Sequence, residues 1–177
     1  MPARQEFEKS GRFNEYKLQL LTSTSTTNNK HFDCGIPEYN DYLFNDALRS
    51  QNDHIALTWL LTERATDKIV AYMSLIMDSI KLSFTEKELH NLNYPFKTIP
   101  SMKIAKLAVD TSFSKLFKGI GMFMNLNRAN CKLAKVPLLI DSAQRLAWSC
   151  NENYCSARFL TVDADIEHDE GVLAFYQ

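Results

Sequence analysis

Two glycines at the end of a strand-like run give this chain its clearest chemical signal. Residues Lys103–Gly121 read KIAKLAVDTSFSKLFKGIG and pass directly into MFMNLNRANCKLA. Ile104, Ala105, Leu107, Ala108 and Val109 form an apolar run that stops at Asp110. A loop containing Gly119 and Gly121 follows, and then a helical pattern. A strand that empties through a glycine-bearing turn into a helix start makes an anion site. The first helical N–H groups have no intrahelical acceptor, and the helix dipole adds roughly half a positive charge there. Glycine lets the backbone approach a phosphate with no Cβ in between. The expected ligand therefore carries phosphate and sits at the middle of the fold.

Other reactive side chains are weaker candidates. Glu63, Glu86 and Glu88 have the chemistry of general bases, but solvated surface carboxylates are the commoner use of such residues. His54 and His90 fall at element ends, where a structural role is expected. Asp110 reads as a turn former that organises the loop after the strand. The acidic stretch 163–170, DADIEHDE, reads as a solvated loop. Cys34, Cys131, Cys150 and Cys155 lack CxxC spacing, and His31, His54, His90 and His168 are scattered, so no metal site is expected.

The elements that must position the loop follow from hydrophobic period and turn chemistry. Residues 1–15 are polar and are expected to be a flexible segment, with one domain over 16–177. Tyr16–Leu21 reads as a strand and Thr22–Lys30 (TSTSTTNNK) as a polar loop. Over Glu38–Arg49 the helical period puts Tyr39, Tyr42, Leu43 and Ala47 on one face. His54–Glu63 and Lys68–Leu82 are expected strands joined by a hairpin turn at Arg64–Asp67. Thr85–Leu92 is an expected helix, with Thr85 and Glu88 as its capping box. Ile104–Val109 is the strand feeding the loop, and the helix after Gly121 runs toward Lys135, where Pro137 interrupts it. Residues 138–150 read as a helix with Leu139, Ala143, Leu146 and Ala147 inward. Ala157–Val162 is a strand, and Gly171–Gln177 begins as a helix. This order of elements is a mixed α/β sheet with helices on both faces.

Bulk properties narrow the class. A chain of 177 residues with 45% hydrophobic and 23% charged residues has the composition of one globular domain. Its net charge of −1 gives no general attraction to nucleic acid or anionic membrane. The sequence has no apolar run long enough to span a membrane and no signal-peptide pattern at its start, so a cytoplasmic protein is expected.

Several of these segments, in this order, resemble the GNAT superfamily of acetyl-coenzyme A-dependent N-acetyltransferases. Phe32–Asp53 (FDCGIPEYNDYLFNDALRSQND) resembles a first-helix signature in which an F-x-C-G turn precedes an L-x-x-F/Y-L helix. Lys68–Leu75 resembles the central strand, Ile99–Asp110 the cofactor strand and Phe117–Gly121 (FKGIG) the pyrophosphate loop. Arg158–Asp165 resembles the strand after the cofactor helix, and Leu173–Gln177 (LAFYQ) the A-x-x-F-Y segment. The resemblance runs from about Tyr16 to Gln177. It implies a mostly antiparallel central sheet with two splayed strands and helices on both faces, apparently without the family's last strand.

The resemblance also implies a chemistry. Acetyl-CoA would be the co-substrate. Its pantetheine arm would pair with main-chain groups of Leu107, Ala108 and Val109, and its pyrophosphate would rest on the amides of Phe117, Lys118, Gly119, Ile120 and Gly121. Asn125 and Arg128 are secondary candidates for the nucleotide. Tyr176 occupies the position of the tyrosine that protonates the departing thiolate, a task suited to a phenol with pKa near 10. Leu116 stands where the family usually has glutamine or arginine, with Lys115 and Lys118 as nearby charges. The chain stops where the resemblance implies a G-F-containing strand; unless another segment covers it, a sheet edge is expected to be open to pairing with another copy.

The expected function is transfer of acetyl to an amine of a small molecule or protein by direct attack. Within the superfamily, the F-x-C-G and F-Y segments resemble the toxin branch of bacterial toxin–antitoxin pairs. That branch acetylates aminoacyl-tRNA and pairs with ribbon-helix-helix antitoxins. Those enzymes tend to be basic, so the charge of −1 favours the small-molecule or protein acceptor. A non-catalytic CoA-binding or interaction module on the same scaffold is the competing class.

Overall fold

The computed structural model describes residues 15–27, 31–89, 91–92, 95–114, 136–153 and 156–162. Its sheet contains β1 (Tyr16–Leu20), β2 (Leu57–Glu63), β3 (Ile69–Lys81), β4 (Thr98–Val109) and β5 (Phe159–Val162), arranged in sequence order. The first three pairings are antiparallel and β4–β5 is parallel. This is the mostly antiparallel mixed sheet that the resemblance implies.

Each face of the sheet has its own core. On one side lies α6 (Val136–Asn153), whose Leu139, Ala143 and Ala147 are buried against Leu61, Met73, Met102 and Ile104. These are inward positions of the expected helical face, with Leu146 half-buried beside them. Asn151 then ties α6 to the chain entering β5. Its side-chain amide donates to the Ala157 carbonyl at 3.0 Å and accepts from the Ala157 N–H at 2.5 Å, as a backbone partner would. The segment 133–156 thus includes a sheet-covering helix.

The opposite face is covered by a helical run in three parts: α2 (Pro37–Asp41), a π-helical turn (Tyr42–Asp46) and α3 (Ala47–Asn52). In the π turn the Ala47 N–H reaches back to the Tyr42 carbonyl, an i to i−5 bond. Leu43 and Ala47 are fully buried against Leu60, Tyr72 and Ala108.

The expected hairpin turn at Arg64–Asp67 is present, with Asp67 at φ +56 and its N–H bonded to the Glu63 carbonyl. Three local features differ from expectation. The polar stretch after β1 contains a short helix, α1 (Ser23–Thr27), because the Thr22 and Ser25 hydroxyls bond each other at 2.7 Å and cap its start. His54 is not in a strand; it takes φ +58 in a turn, and β2 begins at Leu57.

The third difference concerns α4 (Phe84–Leu89), whose capping box lies two residues earlier than Thr85–Glu88. The Ser83 N–H and hydroxyl both donate to the Glu86 carboxylate, at 2.8 and 2.6 Å, and the Glu86 N–H returns to Ser83 Oγ at 3.3 Å. Serine can present its hydroxyl at the N-cap while Phe84 and Thr85 enter the helix. Glu86→Ala is expected to weaken α4 locally by about 1 kcal/mol, read as faster amide exchange over Phe84–Leu89 with little change in global melting.

Among the described residues, no helix is long and apolar enough to cross a membrane.

Candidate active site at the end of β4

The site is built around the C-terminal half of β4. A bulge sits at its centre: Ser74 of β3 pairs with Lys106 and Leu75 with Ile104, so Ala105 is the extra residue. Below the bulge, Ser101–Ile104 pair in parallel with Phe159–Val162. Above it, Leu107, Ala108 and Val109 pair with Met73, Tyr72 and Ala71 of β3, and have no β5 partner among the described residues. Main-chain groups on a strand edge of this kind can pair with an extended ligand that carries amides of its own. Leu107 and Val109 pack toward α6, while Ala108 is buried beneath Tyr72 on the other face.

Asp110 fixes the end of this strand. Only 5% exposed, its carboxylate accepts from the Asp33 N–H at 2.9 Å, from the Ser112 N–H at 2.8 Å and from the Ser112 hydroxyl. Its own N–H donates to the Val70 carbonyl at 2.9 Å. One side chain therefore caps the first turn of α5 (Thr111–Ser114) and joins it to the distant Phe32–Gly35 turn. The Thr111 N–H bonded to the Asp33 carbonyl at 2.7 Å closes the same junction from the other side. Asp110 is a positioning residue, consistent with its expected role as a loop organiser.

The FDCG turn is shaped to meet it. Asp33 Oδ1 accepts from the Gly35 N–H and from Asn40 Nδ2, both at 2.8 Å. Those two donors, the Gly35 amide first, hold the Asp33 carboxyl below the usual aspartate range. Gly35 takes φ +82, the region where a Cβ is strained. Cys34 is half-buried, and its thiol donates to Asn40 Oδ1 at 3.1 Å. Burial pushes that thiol above its ordinary value, with the Asp33 and Asp110 carboxylates adding to the effect, so it remains a neutral donor. Cys34 and Cys150 are both free thiols.

An aromatic group lies beside this junction. Tyr72 donates its hydroxyl to the Tyr39 carbonyl at 2.8 Å, meets Phe32 edge-on at 5.6 Å and stacks on Tyr42 at 6.3 Å. Burial foremost, with smaller contributions from Cys34, Tyr39 and Tyr42, raises the Tyr72 phenol above its ordinary value. Lys106 lies over Tyr39 and Tyr42, with Nζ 4.6 and 5.2 Å from their ring centroids. Helical period alone groups these tyrosines on one face and does not single out Lys106. The signal that could find it is strand alternation, which puts Lys106 on the same face as Ala108, two residues on.

Of the residues expected from the sequence to form the site, Leu107, Ala108 and Val109 thus lie together on a strand edge that β5 leaves unpaired among the described residues. Phe117, Lys118, Gly119, Ile120, Gly121, Asn125, Arg128, Leu116 and Tyr176 lie outside the described residues. Glu63 and Glu86 serve locally: Glu63 accepts from Thr66 and Glu86 caps α4. Among the described residues, no three His, Cys, Asp or Glu side chains cluster as metal ligands.

Comparison with solved structures decides the architecture. A Tyr-to-Phe variant of KacT superposes over 92% of this chain and 84% of its own, with TM-score 0.66 and 19% identity. AtaT in complex with acetyl-methionyl-tRNAfMet matches over 92% and 84%, with TM-score 0.64 and 20% identity. AtaTR bound to acetyl-CoA matches over 93% and 84%, with TM-score 0.63 and 19% identity. This chain has the GNAT fold. No protein-family profile and no curated protein sequence matches it.

Proposed function

We propose that this GNAT-fold chain is an acetyl-CoA-dependent N-acetyltransferase. The observation that carries the reading is the edge of β4 at Leu107–Val109, unpaired by β5 among the described residues and fixed at its end by buried Asp110. An extended pantetheine arm with two amides fits an edge of this kind, because it can continue the strand's hydrogen bonding. Asp110 fixes the start of α5, and further along the chain the amides of Phe117–Gly121 are the proposed seat of the pyrophosphate. The AtaTR structure with acetyl-CoA supports the choice of co-substrate.

Acetyl-CoA supplies an acetyl group activated as a thioester. A neutral amine forms the new C–N bond at its carbonyl carbon as the C–S bond breaks, and the amine gives up one proton. Tyr176 is the proposed donor of the proton that the leaving thiolate takes, giving free CoA thiol. The Tyr-to-Phe variants made in both KacT and AtaT support attention to a tyrosine in this fold.

The acceptor is an amine of a small molecule or protein, or the amino group of an aminoacyl-tRNA. The AtaT complex with acetyl-methionyl-tRNAfMet favours the latter. AtaT is also known bound to the C-terminus of the antitoxin AtaR, and KacTA bound to DNA. By analogy, a ribbon-helix-helix antitoxin is the proposed protein partner, and the cytoplasm the proposed location. Release of CoA thiol should be measured against polyamines, peptides with free N-termini and methionyl-tRNA. Turnover with one class identifies the acceptor; acetyl-CoA binding without turnover on any of them supports a non-catalytic module.

A further inference from the structure

Lys106 is held differently from an ordinary surface lysine. It follows the Ala105 bulge, immediately precedes Leu107 and pairs with Ser74 of β3. Strand alternation puts it on the face of Ala108, which packs against the α2–α3 run. Its ammonium is half-buried over the rings of Tyr39 and Tyr42, which lie three residues apart on one helical face. Those rings are themselves fixed. Fully buried Tyr72 stacks on Tyr42 and donates its hydroxyl to the Tyr39 carbonyl.

The surrounding groups leave this charge uncompensated. Burial keeps Tyr72 and Cys34 neutral behind the two rings. Further along the sheet, Lys103 and Asp78 lie 3.9 Å from each other. At the end of β4 the Asp110 carboxylate is taken up by Asp33 N–H and by Ser112, and that of Asp33 by Gly35 and Asn40. Glu38, Asp41 and Asp46 of the helical run are exposed, and Lys106 forms no ion pair among the described residues. Aromatic faces attract a cation without neutralising it. Lys106 is therefore a fixed positive charge beside the bulge.

In the acetyltransferase reading, the pyrophosphate lies beyond β4 and the pantetheine arm runs back along Val109, Ala108 and Leu107. Its thioester end then lies toward the bulge, where Lys106 is the next residue. A unit charge within about 10 Å lowers a neighbouring amine's pKa by about one unit at an effective dielectric constant of about 20. We propose that Lys106, positioned by Tyr39 and Tyr42, keeps the acceptor amine in its neutral, nucleophilic form. The assignment rests on the acetyltransferase reading and deepens it. An ammonium acceptor gives one proton to solvent as it binds. The neutral nitrogen then forms the C–N bond as the C–S bond breaks, and the amine's second proton is released. Lys106 keeps its own proton throughout, so it is a positioning residue that acts through its charge.

The test is the pH dependence of kcat, which reports the acceptor amine in the bound complex. It is measured with whichever of spermidine, a peptide with a free N-terminus and methionyl-tRNA is turned over fastest. In wild type the midpoint should fall about one pH unit below that of the free amine. Lys106→Met, which keeps the packing stem, should move it up to the free-amine value. Below both midpoints kcat should be about tenfold lower in this variant, and above both the two curves should coincide. Lys106→Arg should keep the wild-type midpoint. A second readout needs no turnover: acceptor is titrated into the CoA-saturated chain in buffers of different ionisation enthalpy. At a pH between the two midpoints, binding should release about half a proton in wild type and almost none in Lys106→Met. Unchanged acetyl-CoA affinity shows that both variants fold. A midpoint and proton release that ignore Lys106→Met overturn the assignment and leave the acetyltransferase reading intact, as does a loss of kcat that is equal at every pH. Absence of acetyl-CoA binding by wild type, or of turnover with every acceptor, overturns the reading itself and this assignment with it.

Discussion

Tyr176→Phe is expected to slow acetyl transfer by about 10²- to 10⁴-fold, the range for loss of a positioned general acid. The substitution removes one oxygen and keeps the ring, so side-chain volume changes little. Acetyl-CoA affinity should therefore change little, and the loss should fall on kcat. A phenol is suited to the task because its ordinary pKa of about 10 is close to that of an alkyl thiol, so proton transfer to a leaving thiolate is nearly balanced. The measurement is CoA thiol release under saturating acetyl-CoA, paired with calorimetric binding of the co-substrate. Unchanged turnover would remove Tyr176 from the mechanism.

Asp110→Ala should give the largest stability loss among the site residues. It strands the Asp33 N–H, the Ser112 N–H and the Ser112 hydroxyl in a place that is 5% exposed. Charge-assisted bonds of this kind and the cost of unpaired donors put the loss at about 3 kcal/mol. For a domain of this size that lowers the melting temperature by about 6–12 °C. Asp110→Asn keeps a single acceptor oxygen and should lose roughly half as much. The functional consequence separates this residue from a merely stabilising one. Asp110 joins the FDCG turn to the start of α5, so its loss should also weaken acetyl-CoA binding at temperatures where the variant remains folded. Wild-type melting in Asp110→Ala would contradict the capping account.

Much of this architecture is legible in the sequence because it rests on short-range rules. Apolar runs either side of a polar turn mark β2 and β3, and the 3.6-residue period puts Leu139, Ala143 and Ala147 of α6 inward, as found. Asp110 is readable as a loop organiser from its place after an apolar run. Its partner Asp33 is not, because 77 residues separate them and no local pattern encodes that pairing. Competition between neighbouring caps explains the α4 register: Thr85 and Glu88 have the right types, but Ser83 and Glu86 satisfy the same rule and win. Lys106 is hidden for another reason. A net charge of −1 averages over the whole chain, whereas this ammonium is held by two rings across a β-strand and a helix. The bulge at Ala105, which decides the face of every residue beyond it, also depends on the partner strand rather than on the sequence of β4 alone.

In the proposed reading, the β4 edge at Leu107–Val109 and the residues after it hold acetyl-CoA. Calorimetric titration of the whole chain with acetyl-CoA tests this before any acceptor is known. Saturable binding at one site per chain, with a micromolar dissociation constant and loss of affinity in Asp110→Ala, is the predicted result. No heat of binding at millimolar acetyl-CoA would contradict it.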